Sequence, residues 1–84
     1  MSAEIPAREL REAIALAIAG DWQRSHEIVQ RYEDDQASCW AHAVLHRIEG
    51  DLDNARYWYR RAGRQLNAEV AALAELENIL STLN

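Results

Sequence analysis

Cys39, His42, His46 and Glu49 stand at i, i+3, i+7 and i+10 of one stretch of chain. On an α-helix that spacing gathers a thiol, two imidazoles and a carboxylate along one side. These are ligand types that take Zn²⁺ or a related transition ion, so metal binding is the first chemistry to consider. The same side chains also suit a helix-pair interface in which the histidines pack and hydrogen-bond to polar neighbours. No CxxC pair and no HExxH motif accompanies them, and a structural metal site normally draws ligands from more than one element.

A second concentration is cationic. Arg56, Arg60 and Arg64 lie at i, i+4 and i+8, with Arg61 adjacent, Tyr57 flanking, and no acid between Asn54 and Arg64. Guanidinium forks recognise carboxylate or phosphate bidentately. Tyr57, Arg60 and Arg61 are therefore the candidate contact surface for a protein partner. The alternative is a cationic helix end that complements the macrodipole and pairs with Glu49, Asp51 or Asp53. Asp51 and Asp53 are accounted for as a helix N-cap and a first-turn acid, without acid–base work. Ser25 and His26 are chain neighbours, and adjacent helical residues do not face each other. With no nucleophile elbow, phosphate loop or dinucleotide fingerprint, the sequence is read as a non-enzyme with no cofactor.

Positioning these residues falls to helices. Hydrophobic periodicity marks five, at about 6–19, 22–32, 36–49, 52–62 and 68–83, and no strand. Pro6 suits a first turn, and Gly20 supplies the stop. Asp21 and Asp51 are natural N-caps, Gly63 ends the fourth helix, and Asn67 is placed to cap the fifth. The expected buried stripes are Leu10, Ala13, Ile14, Ala17 and Ile18; Trp22, Ser25, Ile28, Val29 and Tyr32; Trp40, Ala41, Val44, Leu45 and Ile48; Leu52, Ala55, Trp58, Tyr59 and Ala62; and Val70, Leu73, Leu76, Leu80 and Leu83.

Composition bounds the rest. A chain of 84 residues makes one domain, 1–84, burying only roughly 60–65% of its unfolded surface. At 49% hydrophobic and 27% charged it is too apolar for disorder. A net charge of −5 tells against nucleic acid, which leaves a basic footprint, even though all nine cations are arginine. No apolar run reaches the ~20 residues of a membrane span. One cysteine excludes an internal disulfide framework and fits a reducing compartment, so a cytoplasmic location is expected.

Gly20-Asp21 recurs as Gly50-Asp51, an offset of 30 residues, and self-similarity at such a period marks stacked helical pairs. The series Gly50, Asp51, Ala55, Tyr59, Ala62 resembles the second half of a tetratricopeptide repeat. More narrowly, the run His42-Ala43-x-Leu45-His46-Arg47-x-Glu49-Gly50-Asp51 with Asn54-Ala55-x-Tyr57-Trp58-Tyr59-Arg60-Arg61-Ala62-Gly63 is similar to a small, mainly bacterial family of tetratricopeptide-like proteins. That resemblance implies two helical hairpins, a C-terminal capping helix and a protein-interaction role, and supplies no catalytic residue. The first helix of the second unit departs from the usual pattern, with Cys39, His42 and His46 where apolar residues stand and the apolar residues one position later. A one-residue displacement rotates a face by roughly 100°, so Trp40, Val44 and Ile48 would line the groove, with Leu10, Ile14 and Ile18. The expected occupant is the fifth helix, through Val70, Leu73, Leu76 and Leu80, giving a monomer; the alternative is the same face of a second copy, giving a homodimer.

Overall fold

The computed structural model describes residues 4–83. It is all-α, with α1 (Ala7–Ile18), α2 (Trp22–Val29), α3 (Gln36–Glu49), α4 (Leu52–Arg61) and α5 (Ala72–Ser81), and no strand among the described residues. α1 and α2 form one antiparallel hairpin and α3 and α4 a second; α5 folds back onto α3 and α1.

Local chemistry sets the turns. Gly20 and Gly50 adopt φ of 91° and 92°, a left-handed backbone that side chains disfavour. In each turn the following aspartate closes the same long bond, Asp21 N–H to the Leu16 carbonyl at 2.8 Å and Asp51 N–H to His46 at 2.9 Å. Each aspartate then caps the next helix, Asp21 accepting from Arg24 N–H and Asp51 from Asn54 N–H, both at 3.2 Å. Asp35 does the same for α3, accepting from Ser38 N–H at 2.9 Å.

Two boundaries differ from the periodicity reading. α2 ends at Val29, three residues early, because the Val29 carbonyl accepts the Ser38 hydroxyl at 2.9 Å and the Tyr32 hydroxyl is drawn to the Glu9 carboxylate at 3.0 Å. α5 begins at Ala72 rather than at residue 68. Asn67 closes a local turn, its side chain accepting from Glu69 N–H at 3.0 Å, and the Val70 carbonyl accepts from Arg47, so 68–71 stays outside the helix.

α3 is the axis of the fold, with every residue from Ser38 to His46 buried. Small side chains let α2 cross its neighbours closely: Ser25 is buried and donates its hydroxyl to the Ala13 carbonyl at 2.6 Å. Trp58 and Tyr59 are buried, as their spacing predicts, but within the second hairpin and against α5 rather than between the hairpins, Trp58 on His42 of α3 and Tyr59 bonded to Glu75. Ile18, Ile48, Leu52 and Leu73, placed in the apolar stripes by periodicity, are exposed, because they fall at helix ends or edges beyond their packed neighbours. α5 packs on α3 and α1, but buries Leu76 and Ile79 rather than Val70 and Leu73, with Leu80 half-buried at its edge and Trp40 bonded to it through Glu75.

Its docking also uses charge. Glu75 is buried and receives three donors: Trp40 Nε1 at 2.8 Å, the Tyr59 hydroxyl at 2.6 Å and Arg47 at 2.9 Å. A buried carboxylate is tolerable only with such satisfaction. No helix is long and apolar enough to cross a membrane among the described residues.

Candidate functional site

The four side chains read as one metal cluster are divided by the fold. Cys39 turns away from the histidines and donates its thiol to the Glu33 carbonyl at 3.0 Å. Burial raises its pKa, which favours the protonated thiol over the thiolate that binds metals. His42 and His46 remain together, one turn apart on α3, and the third member is His26 from α2. Ligand atoms of these three lie within 4.8 Å of one another. They are all the histidines the chain has.

Each ring is held by its neighbours. His26 stacks on Trp22 with centroids 4.6 Å apart and planes 10° apart, and the Trp22 indole donates to the Leu45 carbonyl at 2.6 Å, tying α2 to α3. His42 stacks on Trp58, 3.9 Å apart at 13°. Nε2 of His26 and Nε2 of His42 approach to 3.1 Å, a hydrogen bond in which one ring carries the proton. His46 Nδ1 meets Glu49 Oε2 at 2.6 Å. The Nδ1 of His42 is buried without a partner. Burial lowers the His42 pKa to about 3, with His26 and His46 adding repulsion, and burial lowers that of His26 in the same sense. Both rings are therefore neutral near pH 7.

Sequence reasoning missed His26. It was set aside with Ser25 as a chain neighbour, and nothing in its spacing tells which side of α3 it meets.

The arginines also divide. Arg56, Arg60 and Arg64 line one cleft together with Tyr59, Gln65 and Leu66, and no carboxylate lines it. Arg64 lies over the Trp40 ring, 3.3 Å from its centroid. Arg56 approaches Asp53 at 3.5 Å on the surface, and Arg60 has no ion pair among the described residues. Arg61 points elsewhere. It donates to the Glu33 carbonyl at 2.9 Å and to Asp34 at 3.0 Å, and spans the Trp58 and Tyr57 rings. Of the expected contact trio, then, Arg60 stands in the cleft, Tyr57 is exposed outside it against Arg61, and Arg61 is committed to the α2–α3 turn.

Comparison with protein-family models, with curated proteins and with solved structures returns no match.

Proposed function

We propose that this chain is a protein-interaction module, tetratricopeptide-like in its hairpin turns, whose partner presents an acidic segment to the cleft of Arg56, Arg60 and Arg64. The single observation that carries this reading is a cleft with three guanidinium groups and no carboxylate of its own, on a chain of net charge −5. On a chain of net negative charge, a cleft in which Arg60 has no ion pair among the described residues and Arg56 has only an exposed approach to Asp53 favours carboxylates and orients them bidentately. Leu66 and the exposed edge of Tyr59's neighbour Arg60 offer the partner side-chain stems to pack against. A nucleic acid is disfavoured, because the acidic remainder of the surface would repel a long polyanion.

The test is fluorescence polarisation with a labelled oligoglutamate peptide, with oligolysine and single-stranded DNA as comparators. Oligoglutamate binds and weakens as salt rises. Arg56→Ala with Arg60→Ala weakens it by about tenfold or more, since a hydrogen bond to a charged group contributes about 1.5–3 kcal/mol. Arg61→Ala leaves affinity near the parent value. Equal affinity for the three probes, or an unchanged affinity in the double variant, removes the reading.

A further inference from the structure

We infer that His26, His42 and His46 form a binding site for one divalent late transition ion, Zn²⁺ or an ion of similar ligand preference, with Glu49 orienting His46 from outside the coordination shell. The site is independent of the arginine cleft and would stand if that cleft had no partner.

Geometry comes first. The ligands arrive from α2 and α3, which belong to different hairpins, so they meet the requirement that a structural site draw on more than one element. Two imidazole nitrogens on one tetrahedral ion stand about 3.3 Å apart, given Zn–N bonds of about 2.0–2.1 Å. The Nε2 atoms of His26 and His42 are already 3.1 Å apart. His46 lies within the 4.8 Å that bounds the group, so loading draws its nitrogen inward by at most about 1.5 Å, a displacement side-chain torsions supply.

The surroundings agree. A metal-bound histidine characteristically donates its other N–H to a carboxylate, which fixes the tautomer and raises ligand basicity. Glu49 Oε2 occupies that position against His46 Nδ1 at 2.6 Å, leaving Nε2 of His46 free to coordinate. Trp22 and Trp58 hold the other two rings flat against indoles, limiting their rotation. Nδ1 of His42 is buried without a partner and stays so when Nε2 coordinates, so it does not itself call for the ion. Coordination through Nε2 places the His42 proton on that buried Nδ1 and so opposes binding there; three metal–nitrogen bonds offset it.

The donor set also selects. Three imidazoles with no thiolate favour Zn²⁺, Cu²⁺, Ni²⁺ or Co²⁺ over Mg²⁺ or Ca²⁺, which prefer oxygen. His26 is only half-buried and gives the route of entry, and a water completes the fourth position. A bound ion bridges the two hairpins and stabilises the folded chain, because the unfolded chain holds no such site.

The experiment uses the full chain freed of metal with a chelator, titrated with ZnCl₂ at neutral pH by calorimetry, with the parallel shift in melting temperature. One ion per chain binds and the melting temperature rises. In ¹⁵N NMR spectra of the parent protein, ring nitrogens of all three histidines shift together on loading, a readout that needs no variant. His26→Gln, at the half-buried ligand, keeps the helical circular dichroism and loses the ion. Glu49→Gln weakens binding by about 10–100-fold. Cys39→Ser binds as the parent does. Absence of one-to-one binding, ring shifts confined to one or two histidines, parent affinity in His26→Gln, or loss of binding in Cys39→Ser would each overturn the assignment.

Discussion

The Tyr59 hydroxyl donates to the Glu75 carboxylate at 2.6 Å, joining the core of the second hairpin to the helix that closes the molecule. Trp40 and Arg47 complete the set of donors on that carboxylate, so α5 is fastened by one buried acid as well as by Leu76 and Ile79. The contact also raises the Tyr59 pKa, through burial and then through the bond to Glu75.

Removing that acid leaves the buried Trp40 and Tyr59 donors without their acceptor and Arg47 without its counter-charge, holding only the Val70 carbonyl. Glu75→Ala is expected to cost about 3–5 kcal/mol, the penalty of an uncompensated buried charge. Tyr59→Phe is expected to cost less, about 1.5–3 kcal/mol, for one hydrogen bond to a charged group. Urea denaturation orders the two; a Glu75→Ala midpoint equal to the parent's contradicts the role assigned to Glu75.

Trp58 packs its indole on His42 and is buried within the second hairpin. Trp58→Ala is expected to lose roughly 3–5 kcal/mol through lost burial and the cavity left behind. In a domain this small that loss can abolish folding, which circular dichroism at room temperature reads directly. Parent-like thermal unfolding of the variant would show that the indole is dispensable.

Acid should act through His42. Its folded pKa, about 3, lies below the ordinary 6.5, so the unfolded chain takes up the proton more readily. Stability from this group is fully present above pH 6.5 and is lost as pH falls toward 3, with a slope approaching about 1.4 kcal/mol per pH unit. His26, shifted in the same direction, adds to the fall. Denaturation midpoints of chelator-treated protein between about pH 7 and pH 5, above the range where most carboxylates titrate, measure it. A flat profile there is incompatible with a buried, neutral His42.

Much of the fold was legible because the signals that set it are local. Gly20-Asp21 and Gly50-Asp51 carry their own turn and cap, and α1, α3 and α4 begin and end within one residue of where those signals put them. The end of α2 and the start of α5 were not legible, since they depend on Ser38 reaching the Val29 carbonyl and Arg47 reaching that of Val70. Glu75 defeated the apolar reading of α5 for a related reason, its burial being justified only by donors on α3 and α4. At the candidate sites, spacing puts Arg56 and Arg60 on one face of α4, but Arg64 lies past the end of that helix and joins them in the cleft through the turn at Gly63. Periodicity along α3 alone could not show that Cys39 leaves the cluster or that His26 enters it. Spacing reports which residues share a face, and says nothing of which face of another helix they meet.

At Gly20 and Gly50 no atom beyond the adjoining residues lies within 4 Å of where a Cβ would stand. Both positions are therefore governed by chirality of the backbone and not by room. Asparagine, which enters the left-handed region more readily than other side chains, can occupy either turn. Relatives could thus keep this architecture with the glycine signature erased. In them the durable mark of each hairpin would be the aspartate that follows, since its carboxylate caps the next helix, while the long turn bond uses only a main-chain N–H.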